Sequence, residues 1–138
     1  MSTSPGTLPN PLPSNNIRKV AVTISLVTER ILCSELKQIA AETYVTMIKA
    51  VVDLDKGIVG FGGQLHKDVE ALLLSEGSDT RHLWGFCLYF DRPINDAFEF
   101  RSHINMRPQD GNPSIQINDA RVCQAIRDLV AQRVDWNG

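Results

Sequence analysis

The sequence predicts an α+β domain: a mainly antiparallel sheet of about four strands, with about three helices packed on one face. Three observations carry that expectation. Two apolar runs flank Leu54-Asp55-Lys56-Gly57, a tight turn in which Gly57 supplies the positive φ, so they read as a β-hairpin. Three other segments repeat their apolar residues at three and four, the period of a helix. Between the last two helical segments, "LWGFCLYF" and "FEFRSHINMR" read as strands joined by a loop of turn formers, "DRPINDA".

In chain order, residues 1–16 hold four of the seven prolines and almost nothing that can enter a core, which predicts a disordered, proline-rich arm. A single domain over 17–138 follows. "IRKVAVTIS" alternates weakly and reads as a short leading strand. Leu32, Leu36, Ile39, Ala40 and Thr43 predict a helix over 28–44 with Thr28 as its N-cap. After the hairpin, Val69, Leu72 and Leu73 predict a second helix, with Asp68 as N-cap and Gly77 as a left-handed C-terminal cap. Trp84, Phe86, Leu88 and Phe90 face opposite to Cys87 and Tyr89, so this strand is covered on both sides. The last helix, about 119–134, begins at Asn118 or Asp119 and aligns Val122, Ile126, Leu129, Val130 and Val134.

Bulk composition excludes several functions. A chain of 138 residues that is 43% hydrophobic supports one modest core, and a net charge of −2 gives no global attraction to nucleic acid. The apolar run Val20–Val27 is broken by Thr23 and Ser25 and is too short to span a bilayer, so no membrane partner is expected. Three well-separated cysteines, Cys33, Cys87 and Cys123, fit reduced thiols and a cytoplasmic setting. No cofactor motif is identified: the "GFGG" stretch is neither G-x-G-x-x-G nor a P-loop and sits on a hairpin strand. No nucleophile elbow is present either.

The candidate site residues come from "FEFRSHINMR" and its surroundings. As a strand, it places Phe98, Phe100, Ile104 and Met106 on one face and Glu99, Arg101, His103, Asn105 and Arg107 on the other. That second face either meets water or, with Lys49 and Asp53 from the hairpin, forms a basic platform for a carboxylate or phosphate. Arg107 precedes "PQDGNPS" and serves equally as a loop clamp or a ligand contact; Asn112 is a turn residue that can share the rim. His66 lies before the expected helix cap, with Asp68 close by in sequence, and the pair are the candidate acid–base residues. There is no His-Glu-x-x-His and no clustered ligand set, so no metal site is expected.

The segments "KAVVDLDKGIVGFGGQLHKDVEALLLSEGS", "LWGFCLY" and "EFRSHINMRPQDGNPS" resemble a small bacterial family of uncharacterised proteins, common in cyanobacteria among others. Its pattern reads approximately Val-Val-Asp, Gly-Gly-Glu-Leu-His-x-Asp, Gly-Ser, Leu-Trp-Gly and Ile-Asn-x-Arg-Pro followed by Gly-Asn, and the resemblance runs from about Ile39 to Val130. It implies no activity, but it points to Asp53, His66, Asp68, Trp84, Asn105, Arg107 and Asn112. Gln64 stands where the pattern has a glutamate, which disfavours a mechanism needing a carboxylate there.

Three functions follow as expectations. The first is a binding module in which Lys49, His66, Arg101, His103, Asn105 and Arg107 receive an anionic group from a small molecule or a protein partner. The second is a hydrolase of a phosphoester-like group, with His66 as acid–base, Asp68 orienting it and Arg107 stabilising charge. The third is an assembly role, including a homo-oligomer, in which Trp84 or the proline-rich arm docks on another subunit.

Overall fold

The computed structural model of the chain describes residues 22–138. The proline-rich arm over 1–16, and the first part of the expected leading strand, lie outside these residues. The described chain is an α+β fold whose main sheet has five antiparallel strands. The strands are β1 (Ile24–Val27), β3 (Met47–Asp53), β4 (Ile58–Gly62), β5 (Leu83–Tyr89) and β6 (Phe98–Glu99), ordered β1-β4-β3-β5-β6. A separate parallel pair joins β2 (Ile31–Leu32) to β7 (Val134–Asp135). The helices are α1 (Cys33–Ala40), α2 (His66–Ser75) and α3 (Ala120–Arg133).

The helices do not share one face of the sheet. Val51 and Val52 are adjacent in β3, point to opposite faces and are both fully buried, so each face needs its own cover. On one face, Ala50, Val52, Phe61, Phe86 and Leu88 pack with Leu36 and Ala40 of α1 and Ile126 and Val130 of α3. On the other, Val51 and Leu83 pack with Val69 and Leu73 of α2, flanked by Ile104.

Two helix starts differ from the sequence reading. Residues 28–30 turn into the β2–β7 pair, so α1 begins at Cys33 rather than Thr28. Its Glu35 accepts from the Leu32 N–H at 3.0 Å, doing from the first turn what a capping side chain would do. α2 begins at His66 rather than Val69, and Asp68 is its third residue, accepting from the Leu65 N–H at 3.3 Å. By contrast, Asp119 caps α3 by accepting from the Arg121 N–H.

The larger departure is at 98–107. Only Phe98 and Glu99 pair with β5 as a strand. Arg101 makes a lone bridge to Gln116, His103–Asn105 form a 3-10 turn, and Arg107 bridges back to Asn112. The single polar face expected here therefore splits: Asn105 is 0% and Arg107 5% exposed, while Met106 is 50% exposed. The 3-10 turn changes the phase of the alternation, because its three-residue repeat breaks the strand period of two.

Two glycines set how closely this machinery approaches the sheet. A Cβ on Gly60 would lie 2.5 Å from Val69 of α2, and one on Gly85 would lie 2.7 Å from Ser102. Both positions need a bare backbone. Gly60→Ala is therefore expected to destabilise the fold by about 1–3 kcal/mol, as overpacking does, read as a lower urea midpoint at unchanged slope.

Candidate functional site

In the main sheet, Lys49 pairs with Cys87, and Cys87 pairs with Glu99. Cross-strand partners share a face, so these three side chains form a row across β3, β5 and β6. The N-terminal end of α2 and the 102–104 segment stand above that row and leave a groove between them. The groove has two lobes. One, of about 460 Å³, is lined by Lys49, Leu65, His66, Lys67, Ser102, His103 and Ile104. The other, of about 240 Å³, shares Lys49, His66, Ser102 and His103 and adds Cys87, Glu99, Arg101 and Ile115.

His66 forms part of the floor. It is buried at the first position of α2, and its Nε2 donates to the Phe86 carbonyl at 2.7 Å. A carbonyl only accepts, so Nε2 carries a proton. Burial pushes its pKa down to about 4; the Phe86 bond opposes the shift, while Lys49 and His103 add to it. The Cys87 thiol lies 4.0 Å from the same nitrogen and is pushed up to about 11, first by burial and then by Glu99. It remains a protonated thiol at neutral pH. This neighbour pair is thus not an activated thiolate–imidazolium couple.

The rim is basic. Lys49 is half-buried with its ammonium 5.1 Å from the centre of the Tyr44 ring, and Arg101, His103 and Lys67 are exposed. Among the described residues the only ion pairs are Asp79–Arg81 and Asp119–Arg121, so none of these basic side chains is neutralised by a direct partner. The lining carboxylate is Glu99, which accepts from the Tyr89 hydroxyl at 3.0 Å. Asp68 stands nearby at the helix start, committed to the Leu65 N–H.

Four of the sequence candidates therefore meet at one groove: Lys49, His66, Arg101 and His103. Asn105, Arg107 and Asn112 do not line it. Asn105 accepts from the Gly85 N–H at 2.8 Å and donates to the Gly85 and Ile115 carbonyls. The Asn112 amide donates to the carbonyls of Asn105, Ser114 and Gln116, and its oxygen accepts from the Asn118 N–H. Arg107 donates to the carbonyls of Arg81 and Leu83 and lies 4.1 Å over the Trp84 ring. Burial lowers its pKa from the usual guanidinium value. Of the two roles open to Arg107 in the sequence, these contacts are those of a loop clamp. His66, Asp68 and Arg107 consequently line no common cavity.

Asp53 does share the face of Lys49, as strand parity requires, but it lies at the hairpin turn. It is buried there, accepting from the N–H groups of Asp55 and Lys56 and from the Ser78 hydroxyl at 2.6 Å. Trp84 is occupied as the stacking surface for Arg107. Gln64 is exposed, and its carbonyl accepts from the Tyr44 hydroxyl. Among the described residues, no three His, Cys, Asp or Glu side chains gather closely enough to hold a metal ion. No helix among them is long and apolar enough to cross a membrane.

A second groove, of about 400 Å³, runs between α3 and the β6 edge and is lined mainly by apolar residues such as Ile94, Phe98 and Trp136. Its one basic residue, Arg127, is already engaged, over the Phe98 and Phe100 rings and on the Asn95 carbonyl. In the basic groove Lys49 sits over the Tyr44 ring, but the Arg101, His103 and Lys67 side chains have no hydrogen-bond or ring partner among the described residues.

The family described as "Protein of unknown function (DUF5674)" matches residues 25–133. The chain belongs to it. The match runs from within β1 to the end of α3, so the groove and the clamp behind it lie wholly inside the family's span. Neither the curated proteins nor the solved structures gave a match.

Two outcomes test this geometry. Asn105→Ala leaves the buried Gly85 N–H and carbonyl without a partner and is expected to cost at least about 2 kcal/mol, at about 1–3 kcal/mol per orphaned group. Chemical denaturation reads that loss. His66 is expected to titrate near 4 by NMR, well below its unfolded value of about 6.5. Between those values the unfolded chain takes up a proton that the folded chain refuses. Stability attributable to His66 is therefore complete above about pH 6.5 and falls by about 3 kcal/mol as pH drops to 4, a slope His66→Gln removes.

Proposed function

We propose that the protein is a binding module, and that the groove between the start of α2 and the 102–104 turn receives an oxyanion, a carboxylate or phosphate. The observation that carries this is the convergence of Lys49, Arg101 and His103 on one cavity with no ion pair to any of them among the described residues. Charge-assisted hydrogen bonds are the stronger kind, and a guanidinium fork matches the two oxygens of a carboxylate or phosphate.

Binding is favoured over hydrolysis by the state of the candidate reacting groups. The His66 Nε2 proton is held by the Phe86 carbonyl, and the Cys87 thiol is held protonated by burial. Neither is poised to exchange a proton near neutral pH. The three unpaired thiols support a reducing, cytoplasmic setting for this binding role.

The test is an NMR titration of the full chain with inorganic phosphate and with acetate at low ionic strength. Saturable shifts are expected at Lys49, Arg101 and His103, weakening as salt is added. Arg101→Ala is expected to lower affinity about tenfold or more, given about 1.5–3 kcal/mol for a hydrogen bond to a charged group. As an exposed residue away from the core, it should change stability by no more than about 0.5 kcal/mol. Linear, unsaturable shifts with both anions would sink the proposal.

A further inference from the structure

We infer that the natural ligand is an amphipathic organic anion, whose oxyanion head meets Lys49, Arg101 and His103 while an apolar body lies along Leu65 and Ile104. This deepens the anion-binding reading and rests on it.

The two lobes of the groove differ in chemistry. Carbon outweighs polar surface on the walls of both, but the excess is greater in the larger lobe, which Leu65, Ile104 and Lys67 bound, while the smaller lobe holds Arg101 and Glu99. Lys49, His66, Ser102 and His103 lie at the waist between them. A bare oxyanion bound at that waist leaves the larger lobe unused. Its 460 Å³ corresponds to about fifteen waters at ~30 Å³ each, within the range of pockets that take small organic ligands.

Leu65 is the second observation. It occupies the N-cap position of α2 and makes no capping side-chain bond, at a place where Ser, Thr, Asp or Asn serves a helix better. The residue is 54% exposed and forms part of the groove wall. Asp68 bonds the Leu65 N–H as Glu35 bonds that of Leu32 in α1, so neither cap position needs a polar side chain. What sets Leu65 apart is its place on the wall beside a basic rim, where burying it against a ligand removes carbon surface from water. Ile104 completes the wall from the opposite side. Its inner surface packs on the Val51–Leu83 cluster, so it is held in place before any ligand arrives.

The experiment is calorimetry on the full chain with inorganic phosphate, methyl, butyl and hexyl phosphate, the matching carboxylates, and hexanol as the uncharged control. Affinity is expected to rise about fourfold per buried methylene until the lobe is filled. Leu65→Ser places a good N-cap residue on α2, so the variant folds, and it should flatten that rise while leaving inorganic phosphate within about twofold. Arg101→Ala should weaken the whole anion series by one common factor. The carboxylate and phosphate arms identify which head the rim prefers. Equal affinity for inorganic and hexyl phosphate would overturn the apolar body and leave the anion site standing. Hexanol binding as tightly as hexyl phosphate would overturn the charged head, and failure of every anion to bind would remove both.

Discussion

The groove depends on how the sheet ends. β6 pairs with β5 through Cys87 and Leu88 only, so the first half of β5 has no strand on that side. A buried peptide group left unpaired costs about 1–3 kcal/mol. Asn105 meets the need with its side chain, giving an acceptor to the Gly85 N–H and a donor to the Gly85 carbonyl. A carboxamide offers the same donor and acceptor as a peptide unit, so Asn105 substitutes for one residue of a missing strand. The pairing is possible because Gly85 has no Cβ to meet Ser102. Gly85 and Asn105 are a single device.

The rest of the 100–118 segment follows from that anchor. Asn112 gathers three carbonyls around one amide, and Arg107 ties the loop to the chain entering β5 through two carbonyls and the Trp84 face. Burying a guanidinium is costly, and Arg107 recovers part of that cost through contacts on both its edge and its plane. With Asn105 and Arg107 turned inward, the 3-10 turn leaves Arg101 and His103 outward, facing Lys49 and the start of α2. The inward polar residues hold the wall; the outward ones give it its chemistry.

This division explains which parts of the molecule were legible in sequence. The hairpin, β5 and α3 announce themselves through Gly57, an unbroken apolar run and the Asp119 cap. Each is decided by local chemistry. The 98–107 segment is not, because alternation with period two says nothing about a 3-10 turn that changes its phase, and a buried Asn or Arg reads the same as an exposed one. An aspartate ahead of a helical pattern reads as an N-cap, yet an acid also suits the third helical position, which Asp68 occupies. Lys49, His66, Arg101 and His103 were identifiable as basic or titratable residues lacking an assigned structural role. Glu99 lies on the polar face that the alternation predicts, whereas Leu65 carries no such signal. Nothing local marks a leucine before a helix as a wall, and the Lys49–Cys87–Glu99 row exists only once strand register is known.

The distribution of charge in the groove is itself economical. Exposed basic groups on the rim remain hydrated and carry little desolvation cost, whereas a charge on the floor would carry a large one. The floor is accordingly neutral: burial, Lys49 and His103 all disfavour protonation of His66, and burial and Glu99 disfavour ionisation of Cys87. A protonated His66 would add positive potential but would sit buried among like charges, with one proton committed to the Phe86 carbonyl. A neutral ring avoids that repulsion and still fixes the start of α2 against β5 through the same bond. The field at the mouth therefore comes from rim groups that the Asn105-anchored wall and the sheet hold in place, and the groove can be basic without destabilising the core beneath it.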